Sequence, residues 1–225
     1  DFCLSRGLGD VYKRQIQPFA TKNMVLAHNG QITNIKSMEV GSDTSVVFNY
    51  MLNTPINEKI FSQFEGAYSF LGHDDKGFFA IRDNHGFRPL FMGIKNNDFV
   101  AFASEEQALL RFGAETLVEV LPGSIVRVDT NLNITQQQVS VIEQKTCFFE
   151  SVYFSSVQSS LSGQKIFKTR EILGQALANQ IVKSNIPIDL VVPIPDTSIP
   201  SAILIAETMK TVSYTHLTLP TKRIV

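Results

Sequence analysis

Two short segments of the chain contain side chains that could bind charged groups. In the first, His-Asn-Gly, the amide of Asn29 and the backbone N–H of Gly30 could stabilise an oxyanion. An Asn-Gly pair is equally typical of an ordinary turn, because both residues tolerate positive φ. In the second, the carboxylate of Asp43 could bind an ammonium group, or Ser42 or Asp43 could cap a predicted helix. Capping and ligand binding are compatible, so both interpretations stay open.

The composition excludes several classes of protein. The chain has 225 residues, of which 44% are hydrophobic and 18% are charged, so it can bury a core and is not disordered. Its net charge of -1 leaves no excess of positive charge for a phosphate backbone, so no nucleic-acid partner is expected. The apolar runs are shorter than the roughly 18 residues that span a bilayer, so no membrane partner is expected either. Two cysteines are too few for a disulfide framework, which favours a reducing, cytoplasmic location.

The first half of the chain has the pattern of short strands separated by turns. Strands are predicted at residues 24–27, 67–71, 77–81, 89–93 and 99–102, and helices at residues 44–52 and 105–112. Tight turns between neighbouring strands imply antiparallel pairing. The predicted class of this half is therefore α+β.

The second half has a different pattern. A helix is predicted at residues 164–183, with Ile166, Leu173, Leu177 and Ile181 on its buried face. A buried strand is predicted at residues 189–194 and a further helix after Pro200, which is the start of a parallel α/β unit. We therefore expect one domain at residues 16–143 and the beginning of a second at residues 144–211.

Both ends of the chain interrupt these patterns. Residues 1–15 and 212–225 resemble translated DNA of a sequencing adapter, and we expect them to be non-native. Cys3 lies within the first of these segments, so Cys147 is expected to be the single native cysteine.

A series of motifs resembles the glutamine amidotransferases of the N-terminal nucleophile hydrolase type. The motifs are Gln-Pro-Phe at 17–19, Ala-His-Asn-Gly at 27–30, Ser-Asp-Thr at 42–44, Glu-Gly-Ala-Tyr-Ser at 65–69, Arg-Asp-Asn-His-Gly-Phe-Arg-Pro-Leu at 82–90, Ala-Ser-Glu at 103–105 and Pro-Gly at 122–123. The resemblance implies a four-layer α/β/β/α glutaminase domain. It implies that Asn29 and Gly30 form the oxyanion hole and that Asp43 holds the α-ammonium group of glutamine.

Two later motifs resemble the members of this family that also have a phosphoribosyltransferase domain. They are Cys-Phe-Phe-Glu-Ser-Val-Tyr-Phe at 147–154 and Val-Val-Pro-Ile-Pro-Asp-Thr at 191–197. Such members use Mg²⁺ and transfer the amide nitrogen of glutamine to phosphoribosylpyrophosphate, giving 5-phosphoribosylamine in the first step of de novo purine synthesis. The resemblance also implies a homo-oligomer. The alternatives are an amidotransferase with another acceptor and a non-catalytic binding or regulatory protein of the same fold.

The resemblance also sets expectations for individual residues. The family uses a terminal Cys as nucleophile with its own α-amino group as base, and we expect this Cys to be missing and the chain as printed to be inactive. The phosphoribosylpyrophosphate and Mg²⁺ sites are expected outside the chain. Cys147 corresponds to one ligand of an iron–sulfur cluster in some members, and the alternative is a buried structural thiol, since one thiolate cannot hold a cluster. Arg82 and Arg88 are expected to brace their turn through carboxylate or carbonyl contacts.

Overall fold

The computed structural model describes residues 16–35, 42–96, 98–140 and 142–215 and divides the chain into two compact units. The first unit ends at Cys147 and the second begins at Phe148, four residues after the boundary that the sequence predicts. A hydrogen bond from Lys145 N–H to the carbonyl of His85, 2.9 Å long, connects this segment to the first unit.

The first unit consists of short strands and three helices in its described residues. The strands are β1 (Phe19–Ala20), β2 (Val25–Ile32), β3 (Gly66–Asp74), β4 (Gly77–Arg82), β5 (Phe91–Lys95), β6 (Phe99–Ala103), β7 (Thr116–Glu119), β8 (Ser124–Val128) and β9 (Ile134–Gln138). The helices are α1 (Asp43–Asn53), α2 (Lys59–Gln63) and α3 (Glu106–Phe112). The strands form a six-stranded sheet in the order β1-β2-β3-β4-β8-β9 and a three-stranded sheet in the order β6-β5-β7. Neighbouring strands are antiparallel in both sheets.

Side chains that alternate along the strands build the layers of this unit. In β4, Phe79 and Ile81 pack with buried residues of α1 and α2, such as Phe48 and Ile60, on one face of the six-stranded sheet. Ala80 lies between them in sequence and faces the other way, as the pleat requires. The core around Ala80 joins the two sheets and contains residues of β4, β5 and β8, namely Ala80, Met92 and Val126, together with Leu90 and Val120.

A third core covers the outer face of the three-stranded sheet. Phe91 of β5 packs there with Leu109 of α3 and with Ala114. Helices, six-stranded sheet, three-stranded sheet and helix therefore form four layers. This confirms the α/β/β/α architecture that the family resemblance implies.

The second unit contains two longer helices and several two-residue strands. They are a π-helical turn (Glu150–Phe154), β10 (Ser160–Leu161), β11 (Gln164–Lys165), α4 (Ile166–Ser184), β12 (Leu190–Val191), α5 (Ile199–Met209) and β13 (Val212–Ser213). β10 and β11 form an antiparallel hairpin, and β12 pairs with β13 in parallel. The helix predicted at residues 164–183 thus begins two residues later than expected, because residues 164 and 165 belong to the hairpin.

Two predictions for this unit are wrong. The strand predicted as buried at residues 189–194 is reduced to β12, and the side chain of Ile194 is 77% exposed. β12 has a single strand neighbour in the described part of the chain, so it has no sheet around it to bury its side chains. The buried face of α4 is also shifted: Leu177 is exposed, whereas Gly174 and Ala178 are buried. These small residues allow close packing on α5, since a Cβ at Gly174 would lie 2.6 Å from Ser201 Cα.

The terminal segments are described only in part. Residues 1–15 and 216–225, for which an adapter origin is predicted, lie outside the described residues. β13 belongs to the described beginning of the second predicted adapter segment. Within the described residues, no helix is both long enough and apolar enough to cross a membrane.

Candidate functional site

Gly30 is at the centre of the candidate site and lies inside a strand. The sequence favours a turn at Asn29 and Gly30, but β2 continues through both residues to Ile32. Asn29 pairs with Ser69 of β3, and Gly30 pairs with Tyr68. The turn interpretation is therefore wrong: the ladder with β3 holds these residues extended, and glycine accommodates the unusual backbone.

The backbone at Gly30 excludes a side chain. Its φ is 144°, and a Cβ at this position would lie 1.9 Å from the carbonyl oxygen of Ala67. Glycine is therefore the residue that allows β2 to approach β3 this closely.

Asn29 presents its side chain to the opposite face of the sheet from its neighbours, as strand alternation requires. The residue is exposed, and its Nδ2 donates a hydrogen bond to Ser104 Oγ over 3.4 Å. Ser104 lies between β6 and α3, so this contact connects the two sheets at the candidate site. The amide is thus accessible, and it has one N–H group beyond the one that Ser104 accepts.

Asp43 bridges the end of β2 and the start of α1. Ser42 is the N-cap, and its side chain accepts a hydrogen bond from Ser45 N–H, which confirms the capping interpretation for Ser42. Asp43 Oδ2 accepts a hydrogen bond of 3.0 Å from Ile32 N–H, and Oδ1 accepts one of 2.8 Å from Thr44 N–H. Ile32 is two residues, or roughly 7 Å of strand, beyond Gly30. The structure thereby connects Asp43 to the strand that contains the Asn-Gly pair.

The carboxylate of Asp43 retains capacity for a ligand. Its side chain is 23% exposed, so solvent and small molecules can reach it. An ionised carboxylate has about four lone-pair positions. The N–H groups of Ile32 and Thr44 and the Thr44 hydroxyl use three of them. The carboxylate can therefore still accept a hydrogen bond from an ammonium group while it holds α1 against β2.

A buried polar network behind Asp43 was missed by the sequence analysis. The side chain of His28 is 1% exposed, and its Nδ1 lies 3.0 Å from Thr44 Oγ1 and 3.9 Å from Asp43 Oδ2. Gln17 Oε1 accepts a hydrogen bond from His28 N–H, and Gln17 Nε2 donates one to Thr44 Oγ1 over 3.4 Å. The one indication in the sequence is adjacency: His28 precedes Asn29, and Thr44 follows Asp43.

Burial makes His28 a neutral residue. Desolvation lowers the pKa of His28 below its ordinary value of 6.5, the Asp43 carboxylate opposes this change, and the positive charge of Arg88 adds to it. The net direction is downward, so the imidazole is uncharged at neutral pH.

The contacts of Arg82 confirm the prediction that it braces its turn through carboxylate and carbonyl groups. It is fully buried, and its guanidinium donates to the carbonyls of Arg88 over 2.8 Å and Gly86 over 3.0 Å and to the carboxylate of Glu119 over 3.0 Å. A further hydrogen bond reaches the carbonyl of Val120. These contacts fix the turn at residues 83–88 beside β3.

The described residues do not form a metal centre. No group of three or more His, Cys, Asp or Glu side chains in residues 16–35, 42–96, 98–140 and 142–215 is arranged to hold a metal ion. Cys147 is the single cysteine of these residues, and it is half-buried rather than fully buried as the structural-thiol interpretation expected. Because an iron–sulfur cluster needs about four ligands, these residues do not fit one.

Comparison with known proteins shows what this chain is similar to. A model of the glutamine amidotransferase domain matches residues 6–111, so the likeness extends upstream of Ile16. Amidophosphoribosyltransferase 1, chloroplastic, of Arabidopsis thaliana is 31% identical over 211 residues, which are 84% of this chain and 37% of that protein. The amidophosphoribosyltransferase of Bacillus subtilis is 30% identical over 215 residues, which are 85% of this chain and 44% of that protein. The chain thus spans about two fifths of the length of these curated relatives.

Solved structures agree with this result. The glutamine phosphoribosylpyrophosphate amidotransferase from B. subtilis, complexed with ADP and GMP, superposes with a TM-score of 0.75 at 27% identity, over 88% of this chain and 48% of that chain. A structure described as the allosteric regulatory enzyme of purine biosynthesis gives a TM-score of 0.77 at 28% identity, over 94% of this chain and 49% of that chain.

The four-layer fold and the polar groups along β2 define a glutamine amidotransferase domain of the N-terminal nucleophile hydrolase class. Within that class, the chain is similar to amidophosphoribosyltransferases over most of its own length.

Proposed function

We propose that the first unit binds glutamine, and that the whole protein transfers the amide nitrogen of glutamine to phosphoribosylpyrophosphate. The product is 5-phosphoribosylamine, the first intermediate of de novo purine synthesis. The observation that supports glutamine binding best is the geometry of Asp43. Its partly exposed carboxylate is fixed by Ile32 N–H and Thr44 N–H at the end of β2.

In this proposal the two ends of glutamine contact different residues. Asp43 binds the α-ammonium group through charge-assisted hydrogen bonds. The amide carbonyl lies near Asn29 Nδ2 and Gly30 N–H, where a negative charge that develops on its oxygen is stabilised. Asn29 contributes an N–H group that is free of Ser104, and Gly30 allows the backbone to be approached closely because it has no side chain. The nucleophile is assigned to none of the described residues.

The acceptor half of the proposal depends on the relatives. The named relatives are amidophosphoribosyltransferases, and the likeness to them extends through most of both units. Mg²⁺ is proposed as the counterion of phosphoribosylpyrophosphate, with ligands outside the described residues. No step is assigned to the metal.

Glutamine binding is tested by calorimetric titration of the chain with L-glutamine. We expect saturable binding that Asp43→Asn weakens by at least about tenfold, the effect of losing one hydrogen bond to a charged group. The matched control is Asp75→Asn, which changes an exposed carboxylate in the turn between β3 and β4. Equal binding by Asp43→Asn and the unchanged chain would exclude Asp43 from the site. The acceptor is tested in the whole protein by following amide-labelled glutamine nitrogen into phosphoribosylamine.

A further inference from the structure

We propose that His28 is a positioning residue that holds the Asp43 carboxylate in its ligand-binding orientation through the hydroxyl of Thr44. The inference rests on the proposed binding of glutamine and adds a residue to that site. His28 itself contacts no ligand in this arrangement, because its side chain is 1% exposed and lies against Phe70 of β3 and Thr44 of α1.

The position of the imidazole is fixed on two sides. Its ring lies 4.9 Å from the ring of Phe70, which is its cross-strand partner on β3. Nδ1 lies 3.0 Å from Thr44 Oγ1. Thr44 Oγ1 in turn lies 3.4 Å from Asp43 Oδ1. The three side chains therefore form a continuous path from the sheet to the carboxylate.

Hydrogen-bonding capacity sets the direction of this path. The Thr44 hydroxyl has one proton and two lone pairs. Gln17 Nε2 donates to it, so one lone pair is used, and the anionic Asp43 is the stronger acceptor for the hydroxyl proton. The second lone pair is then left for Nδ1–H of His28. His28 Nδ1–H therefore donates to Thr44 Oγ1, and the Thr44 hydroxyl donates to Asp43 Oδ1.

The other nitrogen of His28 supports the same tautomer. Nε2 is buried, and none of the described residues offers it a hydrogen-bond partner. A buried unpaired donor is rarer in proteins than an acceptor with unused lone pairs. Nε2 is therefore the unprotonated nitrogen, and the single proton of the neutral ring is on Nδ1.

This network completes the orientation of Asp43. The two backbone N–H groups contact the carboxylate from Ile32 and from Thr44, at the base of α1. The Thr44 hydroxyl is a third donor to the carboxylate. The hydroxyl proton can rotate, and it points at Asp43 when Gln17 and His28 both donate to the hydroxyl oxygen. Without His28, that hydroxyl can turn away from Asp43, and the carboxylate loses a contact that restricts its rotation.

The test compares substitutions that remove or keep a donor at the position of Nδ1. His28→Phe keeps a flat ring against Phe70 but removes the donor, and we expect it to weaken L-glutamine binding about three- to tenfold. His28→Asn places an amide N–H near the position of Nδ1, and we expect it to retain most of the affinity. His73→Phe is the matched control, because His73 is exposed and lies at the other end of β3.

Thr44 provides an independent test if His28→Phe does not fold. Thr44→Val keeps the shape of the side chain but removes the hydroxyl, so it should weaken binding to the same extent, whereas Thr44→Ser should restore binding. Nitrogen-15 NMR of the histidine side chains reports the tautomer directly. We expect the resonance that disappears in His28→Asn to show protonated Nδ1 and unprotonated Nε2 at neutral pH.

The outcomes separate this inference from the proposed function. Weaker binding by Asp43→Asn together with unchanged binding by His28→Phe or Thr44→Val overturns the role of His28 and leaves glutamine binding intact. A protonated Nε2 on His28 also overturns it. If the unchanged chain does not bind glutamine but His28 has the Nδ1–H tautomer, the proposed function fails and the network remains as a structural feature.

Discussion

Tyr68 and Asp83 exchange two hydrogen bonds across the β3–β4 pair. Asp83 N–H donates to the carbonyl of Tyr68 over 2.9 Å, and Tyr68 N–H donates to Asp83 Oδ2 over 3.2 Å. The carboxylate takes the place that a backbone carbonyl has in a regular antiparallel ladder. It thereby lengthens the pairing by one position beyond the last regular pair, Ser69 with Arg82. This side chain lets β4 leave the sheet without an unpaired N–H on β3.

The same carboxylate organises the turn that follows. Asp83 also accepts hydrogen bonds from the N–H groups of His85, Phe87 and Arg88. Its side chain has no exposure to solvent. The two oxygens of one side chain thus accept from all of these backbone donors, and a side chain with an N–H group in place of one oxygen would accept from fewer of them.

We therefore predict that Asp83→Asn destabilises the first unit by roughly 3 kcal/mol. The amide keeps one oxygen, but its NH₂ group faces donors instead of accepting from them. The free energy of unfolding in urea measures the effect. Asp75→Asn changes a carboxylate at an exposed position and should stay within about 0.5 kcal/mol of the unchanged chain. Equal losses in the two variants would show that the donors around Asp83 contribute little.

Gly30→Ala should disrupt the strand pair that forms the site. The added Cβ would meet Ala67 O at 1.9 Å and Tyr68 Cα at 2.8 Å, so β2 or β3 must move. Gly113→Ala is the control, since Gly113 has a φ of 99° but no described atom within 4 Å of the added Cβ. The control should cost about 1 kcal/mol of unfolding free energy, from backbone conformation alone. Gly30→Ala should cost several times as much, and similar costs for both would mean that contact with β3 is unimportant.

Acid should weaken the ion pair between Asp74 and Arg127. Burial alone would raise the pKa of Asp74, but hydrogen bonds and positive charge from Arg127 and Lys76 outweigh burial and bring the pKa below its ordinary 3.8. Both carboxylate oxygens accept from Arg127 over 2.9 Å. A lowered pKa in the folded state means that the ionised group stabilises the fold above pH 3.8, and that this contribution is lost as the pH falls through the folded-state pKa.

The change in unfolding free energy with pH measures this contribution. Below pH 3.8, stability should fall more steeply for the unchanged chain than for Asp74→Asn. Arg127→Gln removes the cause of the lowered pKa, so it should flatten the same part of the curve. When Asp74→Asn and Arg127→Gln are combined, the unfolding free energy should depend on pH no less steeply than in either single variant. If Arg127→Gln keeps the full slope, another group is responsible for it.

Gly174→Ala should destabilise α4 although alanine favours helices. Intrinsic propensity alone would gain about 1 kcal/mol. The new Cβ would lie 2.6 Å from Ser201 Cα and 2.9 Å from Ser201 O, so α4 and α5 must separate. Amide hydrogen exchange in α4 gives a local measurement, and faster exchange is expected. Gln180→Ala is the control, because Gln180 is exposed on the same helix. In this variant the amide hydrogens of α4 should exchange no faster than in the unchanged chain.

The patterns that could be read from the sequence are those that depend on neighbours along the chain. Short apolar runs between turns predicted β2 to β6, whereas β1, β7, β8 and β9 were not predicted. Ser42 was correctly placed at a helix N-terminus. The extension of β2 through Gly30 was missed, because the ladder with β3 outweighs the local turn preference of Asn-Gly. The roles proposed for Asn29 and Gly30 as oxyanion donors, and for Asp43 as the ammonium ligand, stay predictions.

Features that depend on contacts between distant residues could not be predicted. Gln17, His28 and Thr44 meet because β1, β2 and α1 pack together, and no spacing in the sequence indicates this. The buried face of α4 follows Gly174 and Ala178, since close helix packing selects small residues over the more hydrophobic Leu177. Hydrophobicity alone ranks these residues in the opposite order.

Gly30 and Gly66 are each restricted to glycine by the backbone of the opposite strand. Each has a φ of 144°, and a Cβ on either would collide with the backbone of the opposite strand, at Ala67 O for Gly30 and at Gln31 O for Gly66. The obstacle is main chain in both cases, so no second substitution at a side chain can compensate for the first. Neither glycine can therefore be replaced by another residue while this strand pairing persists, so the backbone geometry of the nearby proposed oxyanion donors is fixed together with the pairing.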